Sequence, residues 1–186
     1  MAASLCWLLL AASASAALQF DAFVGYEGNV RELSYFPVVF EVQNDGPTFH
    51  GSIEFGASQL GSQQKRRIVA EFPTNTRKRF VMPVFAASRF GGWDARLLDD
   101  QDKVRAELTG LRPKQEIIAQ GFLLGALPRN FGGMPTFPQI SQQAPEAAPS
   151  AGHLRPELFP DNPIALEALD AVYLNSEKAL ELKAPQ

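Results

Sequence analysis

The residue types that most often carry enzyme chemistry are scarce in this chain of 186 amino acids. It has one cysteine, Cys6, and two histidines, His50 and His153. His50 alternates with Ser52 and Glu54 in a strand-like stretch, and His153 lies in a Pro-rich segment. A catalytic histidine needs an oriented partner, and a zinc site needs several histidine or cysteine ligands. We therefore expect no catalytic residue, no metal site and no cofactor.

Three acidic residues, Asp99, Asp100 and Asp102, could offer carboxylate oxygens to Ca²⁺. The stretch has neither the turn glycine nor the distal bidentate glutamate of a calcium-binding loop. It is better explained as the polar connection of a β-hairpin.

Two basic clusters are the candidate contacts for an anionic surface. They flank adjacent predicted strands and consist of Lys65, Arg66, Arg67, Arg77, Lys78 and Arg79. If these strands pair as a hairpin with its turn at 73–76, the clusters lie near each other and attract phosphates or anionic lipid. Alternatively, they are solvated edge charges that discourage strand aggregation. The 17 basic and 20 acidic residues give a net charge of −3, which excludes a general nucleic-acid binder.

Aromatic residues suggest a second kind of surface. Trp93, Tyr26, Tyr35 and Phe90 could form a platform on which a sugar stacks. Trp93 is however in register with Ala95, which favours a place in the core of a sandwich.

The first 17 residues read as a secretory signal peptide. An apolar run from Leu5 to Ala12 precedes Ala14-Ser15-Ala16, which matches the A-x-A cleavage pattern. Cleavage would remove Cys6 and leave a mature chain without cysteine, which suits an oxidising compartment.

Residues 18–112 alternate apolar and polar positions with a period of two, as half-buried strands do. Seven short strands are predicted, at Leu18–Val24, Phe36–Val42, Phe49–Phe55, Arg67–Phe72, Arg79–Phe85, Trp93–Leu98 and Lys103–Leu108. They indicate a mainly β fold, an antiparallel sandwich of immunoglobulin or fibronectin type.

The composition changes after residue 112. Residues 113–127 contain a continuous apolar run, Phe122–Leu127, typical of a strand covered on both faces in a parallel sheet. Eight of the 14 prolines fall between Pro128 and Pro163, so we predict a Pro-rich linker over 128–160.

Residues 161–186 resemble the start of an α/β domain. Asn162 should cap a short helix over Ile164–Leu169, with Pro163 at its first position. Ala171–Asn175 is predicted as a second buried strand, and Ser176 should cap a helix over Glu177–Lys183 in which Ala179 and Leu180 face inward. Either the sequence is truncated or this tail docks on the sandwich.

One order of motifs carries a family resemblance. It runs through Gly25-Tyr26, Phe36-Pro37-Val38, Asn44-Asp45-Gly46, Phe49-His50-Gly51, Arg77-Lys78-Arg79, Leu158-Phe159-Pro160-Asp161-Asn162-Pro163 and Leu169-Asp170-Ala171-Val172. It resembles uncharacterised bacterial exported proteins, in which an immunoglobulin-like sandwich precedes a class I glutamine amidotransferase-like α/β domain and often a membrane-spanning C-terminus. Members continue past the equivalent of Gln186, so the resemblance implies a truncated chain. It supplies no catalytic residue.

These observations lead to one expected role and two alternatives. We expect a non-catalytic, exported β-sandwich module on the periplasmic or extracellular face of the cell envelope. It would support or present an adjacent α/β domain through protein–protein contacts. Its partner would be another protein, the missing C-terminal domain or an anionic envelope surface. The first alternative is the accessory N-terminal half of an amidotransferase-like enzyme or ligand-binding protein. The second is a carbohydrate-binding module.

Overall fold

The computed structural model describes residues 18–58, 65–87, 92–129, 133–137 and 149–182. The predicted signal peptide and Phe90 lie outside these residues. The described part is mainly β, as predicted, and its strands form two antiparallel and two parallel sheets.

All seven predicted strands are present, in two antiparallel sheets. The first sheet has the order β1-β3-β6, with β1 at Leu18–Val24, β3 at Tyr35–Asn44 and β6 at Thr76–Phe85. The second has the order β5-β4-β7-β8, with β4 at Phe49–Ala57, β5 at Arg66–Phe72, β7 at Trp93–Asp99 and β8 at Val104–Leu111.

The two sheets face each other across an aromatic core, which makes this part an antiparallel β-sandwich. The ring centroids of Phe40 and Phe55 are 5.7 Å apart, and those of Phe36 and Trp93 are 5.4 Å apart. Phe36 and Phe40 are completely buried, because alternate residues of β3 point into the core. Fully burying one such side chain contributes about 1.5–3 kcal/mol.

The hairpin that would bring the two basic clusters together does not form. β5 pairs with β4 and β6 pairs with β3, so the chain crosses from one sheet to the other between them. The Asn44 side-chain amide stabilises this crossing by donating to the carbonyl oxygens of Phe72 (2.9 Å) and Pro73 (3.3 Å). The rings of Phe72 and Phe80, 5.8 Å apart, then meet across the sandwich.

A three-stranded parallel sheet follows, as expected for the apolar run. Its order is β11-β10-β12, with β10 at Leu123–Leu127, β11 at Ser150–His153 and β12 at Ala171–Leu174. β10 is buried in the middle, as predicted. β11 falls inside the segment predicted as a linker over 128–160, so part of that segment belongs to the sheet. A short parallel pair, β2 (Asn29–Arg31) with β9 (Gln115–Ile117), joins the connection between β1 and β3 to the chain that follows β8.

The C-terminal elements differ from prediction in several details. All four residues of β12 are exposed, so the prediction of a second buried strand is wrong. Asn162 does cap a helix, accepting from the Ile164 backbone N–H at 3.0 Å. That helix is however a four-residue 3₁₀ turn, Pro163–Leu166, which ends before Leu169.

The last described helix is also shorter than predicted. α1 spans Ser176–Ala179, and its cap is the side chain of Asn175, not that of Ser176. Leu180 is 87% exposed and does not face inward. The 3₁₀ turn Pro163–Leu166 packs against β3 and β6, so this part of the tail lies on the sandwich, as in the docked alternative.

Candidate functional site

The outer face of the first sheet forms the floor of a cleft. Strand register places Phe23 opposite Val39, and Glu41 opposite Arg79, on the face that points away from the sandwich core. Val39 is nevertheless 3% exposed, because residues 153–160 cover this face. β3 is consequently buried on both sides, unlike the half-buried strand expected from alternation.

The roof of the cleft is the segment that follows β11. The Leu154 backbone N–H donates to the Ala126 carbonyl oxygen at 2.7 Å, which attaches the segment to the parallel sheet. The Leu154 side chain is buried. Arg79 donates from the floor to the Glu157 carbonyl oxygen, so floor and roof are joined directly.

A buried carboxylate organises the basic end of the floor. Glu41 accepts from Arg79 Nε at 2.9 Å and also pairs with Arg77; we call these three residues the Glu41 cluster. Burial of Glu41 opposes ionisation, but the hydrogen bonds and charges of Arg79 and Arg77 outweigh it and lower the pKa of the carboxyl. The cluster therefore carries one net positive charge.

Two cavities open beside this floor. An apolar cavity of about 340 Å³ lies against Phe23 and Val39, and a basic cleft of about 700 Å³ lies against the Glu41 cluster. Arg155 and His153 line both, and His153 has an interaction partner of its own. The remaining cations of the two linings are Arg112, Lys114, Arg129 and Lys178.

Some of these cations are already paired. Arg129 Nε lies 2.9 Å from the Glu177 carboxylate, and Lys178 lies 2.6 Å from that of Glu181. Arg155 forms no salt bridge with any residue that the structure describes. It is the cation that both cavities share.

A seam of polar contacts holds the C-terminal elements on the sandwich. Arg31 forms a salt bridge with Asp170, in which its Nη1 donates to both carboxylate oxygens, at 2.7 and 2.8 Å. The same carboxylate accepts from the Leu123 N–H at 2.8 Å, where β10 begins. Burial of Asp170 would raise its pKa, but the Leu123 N–H and Arg31 outweigh it, so the pKa lies below its usual value. Glu167 adds a contact by accepting from the Tyr35 N–H at 3.0 Å.

Tyr26 is the buried centre of the seam. Its side chain is 2% exposed, and its hydroxyl donates to the carbonyl oxygen of Ala165, which is completely buried. Burial raises the pKa of the Tyr26 phenol far above its usual value. On the other side β11 passes close by: a Cβ added at Gly152 would lie 2.9 Å from the Tyr26 carbonyl oxygen. Glycine at this position lets the two backbones approach.

The six predicted anionic-surface residues are not brought together. Arg77 and Arg79 line the basic cleft, whereas Lys78 donates to the Glu71 carbonyl oxygen at 2.7 Å. Lys65, Arg66 and Arg67 lie on or beside β5 in the other sheet. Arg67 pairs with Asp102, Lys65 lies 4.0 Å from Glu54, and Arg66 stacks on the Tyr35 ring.

The remaining candidate residues from the sequence lie in the core, on an exposed strand or in a hairpin connection. Trp93 and Tyr26 are buried, so they form no exposed platform for a sugar. His50 is exposed on β4. Asp99 forms the predicted hairpin connection by accepting from the backbone N–H groups of Gln101 and Lys103, at 3.1 and 2.9 Å.

The described residues hold neither a metal-binding group nor a membrane-spanning helix. No group of three or more histidine, cysteine, aspartate or glutamate side chains in the described ranges is arranged to hold a metal ion. Within the same ranges no helix has the length and apolar character needed to cross a bilayer.

Sequence reasoning missed the residues of the seam. Arg31 and Asp170 are 139 positions apart, so no local spacing relates them. The sequence did place an acidic residue, Asp170, immediately before a predicted strand. It gave no indication of which residue this carboxylate would contact.

Comparison with family models gives a match to the sandwich. A family model described as a domain of unknown function, DUF8726, matches residues 17–110, which cover the sandwich. The curated proteins contain no match to the chain.

Proposed function

The chain belongs to the DUF8726 family, and we propose that its sandwich is a non-catalytic support module that carries an adjacent parallel-sheet unit through the seam. The observation that carries this proposal is the salt bridge between Arg31 and Asp170. Its carboxylate also accepts from the first N–H of β10, so one ion pair fixes the sandwich to the central strand of the parallel sheet.

The contacts of the seam are of the kinds found in a permanent interface within one chain. It combines a buried tyrosine, an ion pair and a glycine contact, and Leu154, Phe159 and Ala168 join the same core as the sandwich. Buried polar groups that are fully paired fix one relative position of two elements. A module that presents a neighbour at a fixed angle needs such an interface.

The proposed setting is the cell envelope. The support for export is the cleavable apolar segment of residues 1–17, and the mature chain without cysteine suits an oxidising compartment. We place the module on the periplasmic or extracellular face.

A second candidate is the accessory half of a larger α/β protein of amidotransferase type. The observation in its favour is the parallel order β11-β10-β12, since parallel sheets occur mostly in α/β proteins. The exposed edge strand β12 offers free backbone groups to a further strand.

The support role is tested by breaking the ion pair at the seam. Arg31→Gln should remove about 1–2 kcal/mol of local stability, because two charge-assisted hydrogen bonds are lost from a half-buried carboxylate. Amide exchange measured by mass spectrometry should then be about 5- to 30-fold faster in β10 and β12, while β4 and β7 stay protected.

A matched variant controls for the loss of any surface arginine. Arg96→Gln breaks the 2.6 Å pair with Glu107, which lies on the sandwich and outside the seam. It should leave exchange in β10 and β12 unchanged. Equal exchange in these strands for wild type and Arg31→Gln would refute the support role.

A further inference from the structure

The apolar cavity and the basic cleft are neighbours, and we call the two together the recess. Phe23, Leu154, Arg155 and Leu158 line both, so the cavities meet along a common wall. Phe23 is 43% exposed although it is a large apolar side chain, and it faces this recess. Its exposure leaves apolar surface available beside a cation.

The recess is rich in positively charged residues, although the chain as a whole has a negative net charge. The described residues that line the recess include seven arginines and lysines but only three glutamates, whereas the whole chain has more acidic than basic residues. Clefts lined by one sign of charge focus the field and attract counter-ions. The recess therefore favours an anion on a protein that is negative overall.

Arg155 is the cation best placed to receive that anion. Arg77 and Arg79 are engaged by Glu41, and Arg129 by Glu177. Arg155 has no carboxylate partner among the described residues, so an incoming anion would not have to break an ion pair to reach it. The planar guanidinium suits the oxygens of a phosphate or a carboxylate.

We propose that this recess binds a soluble organic anion, with an aliphatic body in the apolar cavity and a phosphate-type group at Arg155. The volume of about 340 Å³ is within the range of small-molecule sites, which combine mostly apolar walls with a few placed polar groups. This binding function goes beyond the support role. It needs the C-terminal elements docked on the sandwich, as the structure has them, but it does not need them to present a neighbouring domain, and Arg155 itself takes no part in the seam.

The test uses octyl phosphate as a monomer, measured by isothermal titration calorimetry with the mature chain at low ionic strength. It should bind at least tenfold more tightly than either inorganic phosphate or 1-octanol, because each of these lacks one half of the recognised chemistry. Raising the salt concentration should weaken the binding, since exposed charge pairs are screened.

Two variants test which residues bind the phosphate and which bind the aliphatic chain of octyl phosphate. Arg155→Glu should weaken octyl phosphate binding at least tenfold. Lys103→Glu makes the same charge change on an exposed residue at the far end of β8 from the recess, and it should change the affinity less than twofold. Phe23→Ser should weaken octyl phosphate binding while leaving the weak binding of inorganic phosphate unchanged. Trp93 fluorescence verifies that each variant is folded.

Three results would overturn the proposal. One is equal affinity for octyl phosphate and inorganic phosphate. Another is binding that Arg155→Glu leaves intact. The third is binding to phosphatidylglycerol vesicles without binding to monomeric octyl phosphate, which would assign the positive charge to a membrane surface instead.

Discussion

Replacing Tyr26 with phenylalanine removes a single hydroxyl from the centre of the seam. The ring and its packing are kept, but the buried carbonyl oxygen of Ala165 loses the donor that satisfies it. Leaving a buried acceptor unsatisfied costs about 1–3 kcal/mol. We therefore expect Tyr26→Phe to lower the free energy of unfolding by about 1.5 kcal/mol at pH 8.

Urea unfolding followed by Trp93 fluorescence measures this loss. With a slope of about 2 kcal/mol per molar urea, the midpoint should fall by about 0.7 M. Tyr35→Phe is the matched control. Its hydroxyl forms no hydrogen bond with any residue that the structure describes, and the contact of this residue with Glu167 is made by its backbone N–H. The control should shift the free energy of unfolding by less than about 0.5 kcal/mol.

The pH dependence gives a second, independent signature of the same hydroxyl. Burial raises the pKa of Tyr26, so the native state keeps the phenol proton at a pH where the unfolded chain releases it. This contribution is fully present below about pH 10 and is lost as the pH rises above it. At pH 11 the loss is about 1.4 kcal/mol for one such group. The gap between wild type and Tyr26→Phe should therefore nearly close by pH 11.

Two results would refute this reasoning. An unchanged urea midpoint at pH 8 would mean that the hydroxyl contributes nothing to the seam. A gap that stays constant up to pH 11 would mean that Tyr26 ionises as readily in the folded protein as in the unfolded chain.

Three further changes have expected outcomes. Glu41→Gln should cost about 1–2 kcal/mol at pH 7, since a buried carboxylate loses its charge between two arginines. Burial of Glu41 opposes ionisation, but Arg79 and Arg77 outweigh it and lower the pKa of the carboxyl. The stabilisation by the charged Glu41 is therefore present above about pH 4.5 and is lost as the pH falls further. The urea midpoints of Glu41→Gln and wild type should converge in that acidic range. Gly51→Ala should abolish soluble expression, because an added Cβ would overlap the Leu98 carbonyl oxygen of the neighbouring strand; a soluble variant with the wild-type midpoint would contradict this. Secretion in a bacterial host should yield a chain cleaved after Ala16, and an intact mass that retains residues 1–16 would refute the signal peptide.

The sandwich could be predicted because its information is local. Seven stretches alternate apolar and polar residues with the period of a strand, and all seven are strands in the structure. The pairing of these strands is not local. β5 and β6 are adjacent in sequence, yet the Asn44 amide and the packing of Phe72 on Phe80 send them into different sheets.

Strand β11 could not be predicted, because the contacts that make it a strand are not local either. β11 reads Ser-Ala-Gly-His and contains no β-branched residue, so its sequence carries no strand signal. It becomes a strand because β10 offers a parallel edge and because Gly152 can lie against the Tyr26 backbone. Both conditions depend on residues from distant parts of the chain.

The basic clusters could have been divided correctly from the sequence with one further step. Arg77, Lys78 and Arg79 are consecutive in a predicted strand, and successive side chains of a strand point to opposite faces. The period of two therefore separates Lys78 from its neighbours. The structure bears this out: Arg77 and Arg79 meet Glu41 on the outer face, and Lys78 reaches the Glu71 carbonyl on the other. A run of three charges within a strand cannot be one patch. What makes the recess basic is the meeting of these two arginines with cations from distant segments, Arg155 among them, and only the docked C-terminal unit brings those together.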